Sequence, residues 1–126
     1  MQARQDDDGP SSEWPSDWMR AILGVLTLRA LEPGPSYGYA IIADLEASGM
    51  GTVKGGTLYP LLSRYEQAGL VAVDWRPGEA GPGRKYFSLT GLGRSELDRM
   101  RAEWSRFTTT SSDYLTSTHA ARRDTP

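Results

Sequence analysis

Leu58, Leu61, Leu62 and Tyr65 recur at i, i+3, i+4 and i+7. That is the period of one helix face. Thr57, Tyr59, Ser63, Arg64 and Gln67 fall largely off the stripe. The predicted helix therefore has an apolar back and a front rich in hydrogen-bonding side chains. Gly69 reads as its C′ stop, with the apolar Leu70 after it. Upstream, Trp18, Ile22, Leu23, Leu26 and Ala30 keep a helical period until Pro33-Gly34-Pro35 ends it. Ser36 is placed to N-cap a second helix that buries Tyr37, Ile41, Ile42 and Leu45. Gly49, Gly51, Gly55 and Gly56 then mark the connection to the Thr57 helix.

Beyond Leu70 the period changes to two. Val71, Val73 and Trp75 alternate with Ala72, Asp74 and Arg76, and Phe87 and Leu89 alternate with Tyr86 and Ser88, which predicts a hairpin. Between the strands, Pro77-Gly78-Glu79-Ala80-Gly81-Pro82-Gly83 reads as a flexible loop flanked by Arg76, Arg84 and Lys85. Thr90 is placed to cap a last helix. Its stripe is Leu97, Met100, Trp104 and Phe107, with steps of three and four like a coiled-coil seam, and Tyr114 continues the steps. The order is helix, helix, helix, strand, basic loop, strand, helix. This predicts a mainly α fold with a small β-hairpin: a winged helix-turn-helix plus a C-terminal dimerisation helix. The divisions expected are a disordered acidic arm over 1–17, the winged domain over 18–90, the dimerisation helix over 91–117 and a disordered tail over 118–126.

Length and composition narrow the picture. The chain has 126 residues, enough for one small domain with tails, and a core of that size gains from a dimer interface. It has no cysteine, which excludes disulfides and thiolate metal sites and fits a cytoplasmic setting. No apolar run approaches the ~20 residues of a membrane span, and the acidic start lacks the apolar stretch of a signal peptide. The net charge of −2 is unevenly placed. Residues 1–17 set Arg4 against Asp6, Asp7, Asp8, Glu13 and Asp17, whereas residues 18–107 hold eleven Lys or Arg against nine Asp or Glu. A mildly basic body behind an acidic arm points to local phosphate contacts rather than a broad electrostatic sink.

Candidate chemistry follows from placement. Thr57, Tyr59, Ser63, Arg64 and Gln67 are side chains suited to base edges and phosphates. Arg84 and Lys85 on the wing are candidate phosphate contacts, against the plainer reading that they keep a sheet edge soluble. Tyr37 and Tyr39 open the second helix, where their hydroxyls can meet the DNA backbone; core packing is an equal reading for Tyr37. Gly51-Thr52-Val53-Lys54-Gly55-Gly56-Thr57 lacks the spacing of a phosphate-binding loop. His119 has no partners for metal binding or catalysis, so neither an enzyme nor a cofactor is expected. Trp104 reads as dimer core or as one wall of a cavity for flat aromatic effectors, with Trp18, Leu97, Met100 and Phe107 around it. Trp14 and Trp18 stand out in the polar start as anchors for a partner surface.

Four segments together resemble the PadR family of transcriptional regulators, over about residues 18 to 117. They are Tyr37-Gly38-Tyr39; Gly56-Thr57-Leu58-Tyr59-Pro60-Leu61; Glu66-Gln67-Ala68-Gly69-Leu70-Val71; and Gly83-Arg84-Lys85-Tyr86-Phe87-Ser88-Leu89-Thr90. The short stretch after Thr90 resembles the branch with a single C-terminal helix. Tyr65 replaces a usual leucine, Ala40 replaces a usual acidic residue, and the acidic arm is an addition. The resemblance implies a homodimer bound to an inverted-repeat operator on double-stranded DNA, acting as a repressor that a small aromatic molecule releases. It also implies that Trp104 pairs across the dimer. The alternative in another class is a winged helix used only for protein–protein contact.

Overall fold

The computed structural model describes residues 14–78 and 81–118. Four helices and one hairpin follow in the predicted order: α1 (Ser16–Ala30), α2 (Gly38–Ala47), α3 (Gly55–Gln67), β1 (Val71–Gly78), β2 (Gly81–Leu89) and α4 (Gly91–Thr116). Residues 1–13 of the expected arm and 119–126 of the expected tail lie outside the described residues. Leu28, Leu31, Ile41, Leu58, Leu62, Phe87 and Leu97 are fully buried and draw one core from every helix and the sheet.

The boundaries have local causes. α2 and α3 stop in the same way. Gly49 and Gly69 take φ of 93° and 79°, a left-handed conformation open to glycine at little cost. Their N–H groups bond back to Glu46 and Glu66, and the next residues, Met50 and Leu70, bond back to Leu45 and Tyr65. Both are Schellman ends, and they send the chain away from the helix axis. Thr90 caps α4 as predicted, its hydroxyl oxygen accepting from Gly93 N–H at 2.9 Å. The same hydroxyl donates to the Gly69 carbonyl at 2.6 Å. A Cβ on Gly93 would collide with the Leu70 carbonyl, so α4 starts pressed against the turn after α3.

Four expectations are corrected. α1 begins at Ser16 behind Pro15, and its buried residues are Leu23, Thr27 and Leu28, while Trp18 is 63% exposed. α1 is apolar on several sides, so its own period did not fix which face turned inward. Ser36 is not a cap: Tyr37 holds that position with no side-chain cap bond. Instead the Ser36 backbone exchanges two hydrogen bonds with Phe87, of 2.9 and 2.7 Å, adding a third short rung to the sheet. The 77–83 segment is mostly strand, with pairing continued to Gly78 opposite Gly81 after a bulge. A Cβ on Gly78 would strike the Pro82 carbonyl, and one on Gly83 would lie 2.9 Å from the Arg76 carbonyl. The glycines that read as a loop signal are what let these strands come close. Trp75 keeps the inward alternation but lies past the edge of the core, 65% exposed.

Candidate nucleic-acid interface

The sequence of α3 sets the geometry of its two faces. Leu58, Leu61 and Leu62 are buried, and Tyr65 reaches between α1 and α4. Its hydroxyl stands where a Cβ on Gly24 would sit, with Met100 beyond. Burial raises the Tyr65 phenol above its ordinary value. Thr57, Tyr59, Ser63, Arg64 and Gln67 are all exposed. Ser63, Arg64, Gln67 and Ala68 border a shallow groove along the outer face. Pro60 lies inside α3 and cannot donate to the Gly56 carbonyl. Gly56 is exposed, so water can serve that carbonyl.

Tyr59 has a second use. Its ring lies over α2, where a Cβ on Gly38 would collide with it. It is 44% exposed, so it braces α2 against α3 and leaves only an edge for a ligand. Tyr39 is 74% exposed.

The wing joins two of the predicted residues. The Arg84 guanidinium lies 4.2 Å from the Tyr37 ring centre. Tyr37 in turn packs on Tyr86 at 5.2 Å, and Arg76 lies 4.2 Å over Tyr86. Arg76 and Arg84 are cross-strand partners. One face of the hairpin therefore carries a stack of two arginines and two tyrosines, each cation held by a ring face. Lys85 is excluded from it. Neighbouring residues of a strand point to opposite faces, and Lys85 sits with Trp75 and lies 5.6 Å from the Phe87 ring. Arg84 and Lys85 thus cannot act as one contact. Arg76, read only as a flank of the loop, belongs with Arg84.

The pairing of charges separates the surfaces. Arg20, Arg29, Arg99, Arg101 and Arg106 each form an ion pair with a carboxylate on α1, α4 or the turn after α1. Arg76 pairs with Asp74 at 3.3 Å. Among the described residues, Lys54, Arg64, Arg84, Lys85 and Arg94 form none. Four of these five lie at the start of α3, on α3 or on the wing. Lys54, the residue before α3, escaped the sequence reading because its segment was weighed only as a nucleotide loop.

The residues assigned to dimer and ligand divide. Leu97 is 1% exposed within the single chain; it is core, and it offers nothing to a partner. Met100 and Trp104 are half-buried. Phe107 is 62% exposed, and its ring lies 5.6 Å from that of Trp104. With Ala21, Val25, Arg99 and Glu103 they line an open cleft of about 290 Å³ between α1 and α4. Trp18 is exposed and does not line it.

The model of the transcriptional regulator PadR-like family matches residues 27–99, which include α2, α3 and the whole wing. The chain belongs to the PadR-like family. A PadR-family regulator from Eggerthella lenta is 32% identical with a TM-score of 0.74, covering 82% of this chain and 89% of that one. A PadR-like regulator from Bacillus cereus is 27% identical with a TM-score of 0.71, covering 80% and 98%. An uncharacterised protein of Lysinibacillus sphaericus is 29% identical over 91 residues, 71% of this chain and 84% of its own length. As a PadR-like protein the chain is a DNA-binding transcriptional regulator, a class that is not enzymatic. No helix among the described residues is long and apolar enough to cross a membrane.

Proposed function

We propose that this chain is a repressor that holds an inverted-repeat operator as a homodimer in the cytoplasm and releases it when a flat aromatic molecule binds. The observation that carries the DNA side is the separation of charge: among the described residues, four of the five cations without a carboxylate partner lie before α3, on it or on the wing, while every arginine of α1 and α4 except Arg94 is paired in place. Phosphates are the natural complement to such cations. In this reading Thr57, Ser63, Arg64 and Gln67 read base edges, while Lys54, Arg84 and Arg76 hold the backbone. Tyr39 and the edge of Tyr59 add hydroxyl contacts.

The dimer side rests on the outer half of α4. Trp104 and Phe107 meet with their rings tilted and leave apolar surface that the single chain does not cover. A twin helix over that surface would place two copies of α3 about one DNA turn apart, roughly 34 Å. The α1–α4 cleft beside Trp104 is the proposed effector site. An effector acts there only through its differential affinity for two spacings of the pair. Footprinting on DNA flanking the chain's own coding sequence, with and without planar aromatic compounds, tests the reading. A two-fold symmetric footprint that the compounds erase is the expected result, and Trp104→Ala should keep the footprint and lose the response. A monomer at micromolar concentration, or a footprint indifferent to every compound, would refute the corresponding part.

A further inference from the structure

The first described residue ahead of α1 is tied to the end of α2. The Trp14 indole N–H donates to the Gly49 carbonyl at 2.9 Å, across 35 positions of sequence. Gly49 is the left-handed residue that ends α2, and five residues later the chain reaches Lys54 and α3. The sequence that leads up to Trp14 is acidic: Asp6, Asp7, Asp8 and Glu13 stand against Arg4 alone. Lys54, Arg64, Arg84 and Lys85, which form no ion pair among the described residues, lie on α3, just before it or on the wing.

We propose that this acidic segment docks on the polar face of α3, starting at Lys54, and competes there with DNA phosphates; the competition rests on the DNA-binding reading above. Reach permits it. The eight Cα–Cα steps from Asp6 to Trp14 span at most about 27 Å, and the 13 residues of α3 are about 20 Å long. Charge directs it. Asp44 and Glu46 on α2 lie next to the tether and repel the segment from that side, and Glu66 repels it from the far end of α3. Lys54 and Arg64 are the attraction between them, with Arg84 on the wing beside Tyr37. Aspartates and phosphates seek the same cations, so each must displace the other. Because any duplex must first displace it, the segment weakens matched and random sites by the same factor, so a random duplex is a sufficient probe.

The test compares the full chain with a D6N/D7N/D8N variant and with Trp14→Phe, which keeps the ring and loses the indole donor. The probe is a random-sequence duplex, read by fluorescence anisotropy, and the DNA-free proteins are compared by amide resonances. The triple variant should bind the duplex about ten-fold more tightly at ~50 mM salt, with the gain fading toward ~300 mM as screening removes the competitor. Trp14→Phe should give a smaller gain. Without DNA, amide resonances of residues 54–67 should move in the triple variant. Unmoved resonances there, or equal duplex affinities at low salt, would overturn the proposal. If no form of the protein bound the duplex, the DNA reading would fall and the competition with it, while a failed tether leaves binding by the full chain intact.

Discussion

Arg64 is the residue on which recognition turns. It is exposed in the last turn of α3, forms no ion pair among the described residues, and borders the groove with Ser63 and Gln67. Arg64→Ala should cost roughly 1–3 kcal/mol on a selected site and relax preference at one base position, as for a lost guanine contact. Selection of binding sequences by wild type and mutant would show it, and identical motifs would assign Arg64 to phosphate instead. Thr27 teaches the opposite lesson. It is fully buried in α1, and its hydroxyl finds no partner among the described residues. An unpaired buried hydroxyl costs about 1–3 kcal/mol, so Thr27→Val should be neutral or stabilising by about 1 kcal/mol. A drop in the thermal midpoint would mean that the hydroxyl is bonded after all.

At the scale of elements, the wing divides its cations between two faces, and the division can be measured. Arg84 and Arg76 stack with Tyr37 and Tyr86, while Lys85 shares the other face with Trp75. Each lost phosphate contact should lower the salt slope of DNA binding by about 0.9. Arg84→Ala should show that drop and Lys85→Ala a smaller one or none; equal drops would place DNA along the wing edge, touching both faces. Elements were legible where their signals are local. The stripe of α3, its glycine stop and the Thr90 cap each lie within a few residues of what they control. α1 was misread because Trp18, Ile22, Val25, Leu26 and Leu28 offer an apolar residue on most of its sides, so packing chose the face. Ser36 pairs with Phe87 through backbone alone, and no side-chain pattern encodes a partner so far along the chain. The unpaired state of Lys54 was invisible for the same reason: it depends on where the carboxylates end up.

Across the whole molecule, α4 packs on the core through Leu97 and Met100, and polar bonds fix it at two further points. One is the Arg101–Glu32 bond of 2.7 Å, which ties it to the turn after α1. The bond from Arg101 is the main reason that the Glu32 carboxyl is held below its ordinary value. A carboxylate with a lowered folded value adds stability above its unfolded value and loses it as pH falls through the folded one. Stability should therefore decline in acid below about pH 4.5, and Glu32→Gln should flatten part of that decline. Glu96, lowered by Arg99 within α4, should leave the rest. Both pairs are open to solvent, so the effect should shrink in high salt; an acid limb unchanged in Glu32→Gln would assign it elsewhere. The other attachment is Thr90, bonded to Gly69 and to Gly93, with its own N–H on the Leu70 carbonyl at 3.1 Å. That joint has no slack. The 26 residues of α4 make an arm about 39 Å long, fixed at its base to the end of α3. A small tilt imposed near its far end cannot be absorbed by bending at residue 90. It should pass through the Gly69 turn into α3 and through Leu97 into the core, so a partner that grips the outer turns of α4 should also shift the reading head.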